Sequence, residues 1–359
     1  MFNHKPHLHY LLFYVTSRCN LRCKHCFYLD ELNKRDELGL AEIETLATNL
    51  RPLRFIRMTG GEPYLRKDLA QVAAAFHHKA GTKQMGIITN GTKPDWVETR
   101  TREIFAACPT LRLDVGVSLD GPEAIHDELR GLKGSFANAR ESVRRLNQLK
   151  QEFPQLKTSL VTTVLSINEP VLDAFFDEIA SWGVDRLSAN HVRGKVHDPS
   201  LKEVSYERYL DFAKKCEDYH LTQDLTWKAG LQRAKNRMTR QAIEEVVQGE
   251  KYAIPCLAGS AIGVLYSDGE LYLCEMLDRE LPKHNGAPSA HARIGNIRET
   301  GGDFYRLWHS DNAQQCREWI QATNCSCSHE CFLTASIYFN SRNYPNLAKE
   351  WLKSKLTNK

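Results

Sequence analysis

Three cysteines, Cys19, Cys23 and Cys26, stand at C-x3-C-x2-C between Thr16 and Tyr28. No other feature constrains the chain as much. Thiolates are the ligands of iron–sulfur clusters, and this spacing brings three of them to one small inorganic centre. A four-iron cubane takes four ligands, so the loop leaves one iron open to something other than protein. The competing readings are three core cysteines or zinc, whose structural sites close with four protein ligands. His25 is the nearby residue that could complete such a set, and its place beside Cys26 makes tetrahedral closure difficult.

The stretches after this loop set the fold class. Short apolar or β-branched runs at Tyr10–Thr16, Arg54–Met58, Met85–Ile88, Leu113–Val117, Ser159–Leu165 and Arg186–His191 read as strands. Between them lie helical patterns at Leu40–Leu50, from Asp68 to Lys79, from Pro94 to Ala107, from Ser135 to Glu152 and at Glu169–Trp182. Asp68 and Ser135 are expected to cap their helices. Such alternation predicts an α/β fold with a parallel sheet and right-handed crossovers. Ligands in such folds bind at the carboxyl ends of strands. The cysteine loop, Gly60–Pro63, Thr89–Asn90 and Ser118–Asp120 therefore face one expected pocket, with Asn190, His191 and Arg193 as substrate candidates. Six units are two short of a full barrel.

A chain of 359 residues suggests one large domain and a small one. Its 42% hydrophobic and 26% charged residues are those of a soluble globular protein. A net charge of +4 is too mild to argue for nucleic acid. No apolar run reaches the roughly 18 residues of a membrane span. The start of the sequence, Met1–Pro6, lacks a signal core. Eleven cysteines without an export signal favour reduced thiols and metal, hence a cytoplasmic protein. Cys108 and Cys216 read as buried small residues, and Cys316 has no assigned role. Arg130, in His126–Arg130, could pair a carboxylate, although a lone arginine more often reads as a solvated charge. Tyr206 to Val247 reads as a solvated helical connector, and the lysine-bearing end, Lys349–Lys359, as a basic helix end or frayed tail.

The cysteine loop, with His25 in the aromatic slot of C-x3-C-x-aromatic-C, resembles the signature of the radical S-adenosylmethionine (SAM) superfamily. The resemblance spans roughly residues 8–220. It implies a partial (β/α)6 barrel and a 4Fe–4S cluster held by Cys19, Cys23 and Cys26. It also implies SAM on the open iron and a 5′-deoxyadenosyl radical that abstracts hydrogen from substrate, with an electron donor such as flavodoxin or ferredoxin. His25 would pack on the cluster side of the adenine. Thr59-Gly60-Gly61-Glu62-Pro63 is similar to the family's GGEP motif, where backbone and Glu62 hold the SAM amino group. Ser118 and Asp120 resemble polar positions that contact the SAM carboxylate and ribose, and Asn90 is a further cofactor candidate. His126-Asp127-Glu128-Leu129-Arg130 is similar to an H-D-x-x-R segment of relatives with C-terminal cluster domains.

A second cysteine group follows. Cys256 and Cys274 bracket a hairpin pattern centred on Asp268-Gly269, and C-x12-G-x4-C resembles the opening of SPASM and Twitch domains, which carry auxiliary 4Fe–4S clusters. Cys325-x-Cys327-x3-Cys331 departs from the full SPASM run, and no cysteine follows Cys331. One auxiliary cluster, the Twitch arrangement, fits better than two. Its expected ligands are Cys256, Cys274, Cys327 and Cys331, with Cys325 the alternative to Cys327; a zinc site on the same four thiols is the rival. The expected division is a core at 8–220, a connector at 221–255, a Twitch-like domain at 256–340 and a tail at 341–359. Glu275, immediately after Cys274, occupies the place of an acidic residue that acts as a base in similar SPASM proteins.

These readings point to an enzyme that cleaves SAM and modifies an unactivated C–H bond of a small molecule or peptide, with oxidation aided by the second cluster. Nucleic acid and membrane are not expected partners. The alternatives are a redox-neutral radical SAM enzyme whose second cluster binds substrate, and a non-catalytic iron–sulfur or zinc scaffold.

Overall fold

The computed structural model describes residues 6–223, 227–249, 254–277 and 292–356; Met1–Lys5 and Lys359, read above from the sequence, lie outside them. Strand β1 (Tyr10–Thr16) is buried along its whole length, as a continuous apolar run inside a parallel sheet should be. Five further strands follow: β2 (Phe55–Gly60), β3 (Gln84–Thr89), β4 (Arg112–Ser118), β5 (Leu156–Val164) and β6 (Arg186–His191). All pair in parallel, in the order β6-β5-β4-β3-β2-β1.

Helices α1 (Leu40–Asn49), α2 (Leu69–His78), α3 (Pro94–Ala107), α4 (Glu123–Arg130), α5 (Ser135–Leu149) and α6 (Leu172–Ala180) lie between the strands. The buried faces of all but α4 join the strands in one apolar core, while Leu129 of α4 packs in a smaller cluster with Leu165, Val192, Val196 and Leu201. The sequence reading overlooked α4. It also gave two caps that the structure replaces. Asp68 accepts no hydrogen bond from α2 and binds Arg66 Nε at 2.9 Å instead. Ser135 is the first residue of α5, not its cap. The Asp127 carboxylate takes the N–H groups of Gly134 and Phe136 and the Ser135 hydroxyl. A carboxylate at a helix start satisfies donors that lack intrahelical partners.

The hairpin does not form a separate sheet. Strand β7 (Ile262–Leu265) pairs in parallel with β1, aligning Tyr10 with Ile262 and Phe13 with Leu265. Strands β8 (Glu270–Tyr272) and β9 (Arg293–Asn296) continue antiparallel, giving one sheet of nine strands. Helices α7 (Tyr206–Gln223) and α8 (Trp227–Gln248) follow β6, and α7 packs against that strand. The connector is therefore not a solvated surface throughout. Tyr209, Phe212, Cys216, Met238 and Ala242 are buried, as are Glu217 and Arg233. Arg237 and Arg240 both reach Glu217. Helices Glu330–Phe339 and Tyr344–Leu356 pack against α8, so the C-terminal segment through Leu356 is helix. No described helix is long and apolar enough to cross a membrane.

Trp308 is fully buried beside β7, where a side chain at Gly263 would meet its ring at 2.7 Å. Replacing a core tryptophan with alanine costs about 3–5 kcal/mol. Trp308→Ala should lower the midpoint of denaturant unfolding accordingly; an unchanged midpoint would show that the hairpin is held by something other than this packing.

Candidate active site

One cavity opens at the carboxyl ends of β1 to β6. Cys19, Cys23, His25 and Cys26 line one side, Gly60, Gly61, Asn90 and Ser118 the next, and Asn190, His191 and Arg193 the far wall. The strand-end geometry thus gathers most of the residues marked in the sequence. Glu62, Pro63, Asp120 and Glu275 do not line it, and each has another place.

The cysteine loop is clasped by the turn after β2. Gly61 N donates to Thr16 O at 2.8 Å and Glu62 N to Arg18 O at 2.7 Å. A side chain at Gly60 would meet Thr16 O at 2.3 Å, and one at Gly61 would meet Arg18 O at 2.2 Å. Gly60 also has φ of 119°, a conformation that side chains rarely allow. Pro63 opens the short turn that follows. Glu62 is buried and accepts from Asn90 N at 2.7 Å, Thr89 Oγ1 at 2.8 Å and Tyr64 N at 3.0 Å. Burial pushes its carboxyl up despite these donors. Glu62 therefore braces the β2 and β3 loops and is not among the residues that line the cavity. Asn90 donates from Nδ2 to Asn20 Oδ1 at 3.0 Å, fastening the β3 loop to the cysteine loop.

Asp120 is fully buried behind the loop. Its Oδ2 lies 2.5 Å from Arg130 Nη2 and 3.4 Å from His25 Nε2, and Oδ1 accepts from Thr163 N at 2.9 Å. Asp120 thus sits beneath His25 rather than at the cavity surface. Burial raises its carboxyl, but Arg130, His25 and His126 outweigh burial and hold it below the usual range. Burial lowers His25 to about 4, with Asp120 opposing and Arg130 reinforcing the shift. Arg130, read above as a solvated charge, is buried, and its Nη1 points at Cys23 Sγ at 3.8 Å. Removing one partner of a buried ion pair costs about 3–5 kcal/mol. His126, Leu129 and Arg130 share the buried face of α4.

The loop chemistry suits a metal cluster. Burial pushes Cys19 up to about 12, partly offset by the Leu21 N–H, which donates to Cys19 Sγ at 3.4 Å. Burial raises Cys23 too, against the pull of Arg130. Buried thiols of this kind stay protonated unless positive charge compensates the thiolate; iron and Arg130 would supply that charge. Among the described residues no three His, Cys, Asp or Glu side chains stand at the spacing of a single-ion site.

Glu275 is buried and not solvent-facing. It accepts from the Tyr14 hydroxyl and contacts His329 Nε2. Tyr14 lines the cavity, so Glu275 reaches it through that hydroxyl. At the far wall His191 stacks on Tyr206 at 4.5 Å, its backbone N–H donates to Glu330 Oε1 at 3.3 Å, and Arg193 pairs with the same carboxylate. Glu330 lies between Cys327 and Cys331, so it ties the cavity wall to the second cysteine group. Tyr14 and Glu330 carried no signal in the sequence, being an ordinary strand tyrosine and an ordinary helix-start glutamate. Cys108, Cys216 and Cys316 are buried.

Comparison with known proteins accords with this geometry. Residues 13–161 match the family model described as the radical SAM superfamily. The chain is 34% identical over 186 residues to Fe-coproporphyrin III synthase of Methanosarcina barkeri, covering 50% of this chain and 42% of that protein. It is 31% identical over 222 residues to a cysteine-type anaerobic sulfatase-maturating enzyme of Clostridium novyi, covering 55% and 56%. The chain spans about half the length of the curated relatives it matches. The structure of native anSMEcpe with bound AdoMet superposes with a TM-score of 0.57 at 18% identity, over 97% of both chains. That likeness in fold runs through the β7–β9 segment and the C-terminal helices, beyond the stretch that the family model covers. Residues 13–161 thus form a radical SAM domain.

Proposed function

We propose that this chain is an enzyme that reductively cleaves SAM and removes a hydrogen atom from an unactivated C–H bond of a small-molecule or peptide substrate. The observation that carries the reading is the cavity itself, where three thiols, the Gly60–Gly61 backbone and a polar far wall face one another. Cys19, Cys23 and Cys26 would hold a 4Fe–4S cluster, and the family's cofactors are that cluster and SAM. When bound, they supply a 5′-deoxyadenosyl radical, chemistry that belongs to the cofactor.

The protein's part is placement. The Gly60–Gly61 backbone, Asn90, Ser118 and His25 are within the cavity to hold SAM. Glu62 and Asp120 act from behind, the first bracing the turn and the second orienting His25 and Arg130. Asn190, His191 and Arg193 face the substrate. Cys256, Cys274 and the Cys325–Cys331 segment would hold a second cluster, and a one-electron donor protein of the flavodoxin or ferredoxin kind would reduce the first. The reaction is an oxidative tailoring or maturation step. Oxidising a carbon that has lost a hydrogen atom requires loss of one proton and one electron. Tyr14 would accept that proton as its own passes to Glu275, and the second cluster would be the electron acceptor. A general base of this kind is worth about a hundred- to ten-thousand-fold in rate.

Two outcomes test this. Replacing Cys19, Cys23 and Cys26 together by alanine should abolish 5′-deoxyadenosine release in anaerobic assays with SAM and dithionite. About four irons per chain, the content of one cubane, should remain. Unchanged deoxyadenosine release would contradict the assignment of the first cluster. Glu275→Gln should keep both clusters and still cleave SAM, but release deoxyadenosine without a matching amount of oxidised product. Wild-type product formation by that variant would remove Glu275 from the reaction and favour a redox-neutral conversion.

A further inference from the structure

The cysteine loop has an inner and an outer face. Cys19, Leu21, Cys23 and His25 line the cavity. The residues between them do not. Arg18, Asn20 and Arg22 are exposed, and the Lys24 side chain is 44% exposed. Alternation of this kind belongs to extended chain, and here it turns three cations outward. Only the loop itself separates that outer face from the three thiols.

Two neighbouring segments extend the outer face. Lys24 N donates to Leu129 O at 2.9 Å, and a side chain at Gly131 would lie 3.6 Å from Arg22 O. The end of α4 is thus seated against the loop, and it is followed by Leu132 and Lys133, both exposed. At Asn20 the loop meets the connection from β3 to α3, where Asn20 Nδ2 donates to Thr92 Oγ1 at 2.8 Å. The exposed Lys93 comes next. Its Nζ lies 5.9 Å from the ring of Trp96, which is 43% exposed.

Much of this charge is uncompensated. Arg18 pairs with Glu37 and Lys24 with Glu128. Among the described residues Arg22, Lys93 and Lys133 take part in no ion pair. Arginine and aromatic side chains are enriched where proteins meet, and a positive face steers a negative partner toward it. Charge therefore selects an acidic protein. Position selects one whose business is with the thiols just behind the loop.

We propose that this face, with Arg22, Lys24, Lys93 and Lys133 around Leu132 and Trp96, docks the acidic one-electron donor protein that reduces the first cluster. The proposal rests on the reading of Cys19, Cys23 and Cys26 as a cluster site. In the docked pair one electron leaves the reduced centre of the donor and enters the cluster. The donor is oxidised by one electron, the cluster is reduced by one, and no covalent bond forms or breaks.

Two measurements on the full chain test it. The first is binding of an oxidised, acidic flavodoxin, titrated by calorimetry at low and at physiological ionic strength. The unaltered chain should bind it, and more weakly as salt rises. Arg22→Glu combined with Lys133→Glu should weaken binding at low salt by at least about tenfold. The second is 5′-deoxyadenosine release by the reconstituted chain, driven by reduced flavodoxin or by dithionite. The double variant should lose at least about tenfold with flavodoxin and keep the unaltered rate with dithionite, a small reductant that needs no docking face. Lys93→Glu combined with Lys133→Glu, both outside the cysteine loop, should show the same split and guards against a loop disturbed at Arg22. Unchanged flavodoxin binding in both double variants would overturn the proposal, as would equal losses with the two reductants in both. An unaltered chain that cleaves SAM with dithionite but binds no flavodoxin would also overturn it. No cleavage by the unaltered chain with dithionite would instead overturn the cluster reading, which separates the two failures.

Discussion

Two backbone hydrogen bonds hold the cysteine loop in register: Gly61 N to Thr16 O and Glu62 N to Arg18 O. The approach is so close that no side chain fits at Gly60 or Gly61. A loop carrying three thiols has no regular structure to keep them together, and the ordering of each residue costs roughly 1–2 kcal/mol. The clasp supplies the order. It also explains why the β2 turn needs two glycines in succession, since each meets a different carbonyl of the loop. Glu62 then couples the clasp to β3 through the Thr89 hydroxyl and the Asn90 N–H, so three strand ends move as one body.

Charge is arranged around the same loop. Burial disfavours thiolates, and the cation against Cys23, Arg130, is itself buried and paired with Asp120. The pair lets Arg130 stand beside Cys23 without an uncompensated charge in the interior. His25 joins through Asp120, its imidazole pulled below the usual range by burial. Across the cavity Glu330 does for Arg193 what Asp120 does for Arg130. Both arginines are thereby fixed in direction, which suits a cavity that must hold a cofactor and a substrate in one geometry.

The six parallel strands were legible because each is a short apolar or β-branched run ending in a polar turn, and the cysteine loop because its spacing is specific. Gly60, Gly61, Asn90 and Ser118 were legible by position, at strand ends. The direction of Glu62 and Asp120 was not, because a polar residue at a strand end can face the cavity or the protein behind it. Arg130 was hidden for a related reason: its partner lies ten residues away in sequence, and a single arginine carries no mark of its partner. The union of β7 with β1 rests on a pairing between residues about 250 positions apart, which no local pattern encodes.

The central claim is that the glycine clasp sets the first cluster loop, and Gly61→Ala tests it most directly. Its added Cβ would overlap Arg18 O, so the turn and the loop must separate. Iron should fall by the content of one cubane, about four per chain, deoxyadenosine release should fail, and the second cluster should remain. A Gly61→Ala chain with wild-type iron and wild-type SAM cleavage would contradict the account.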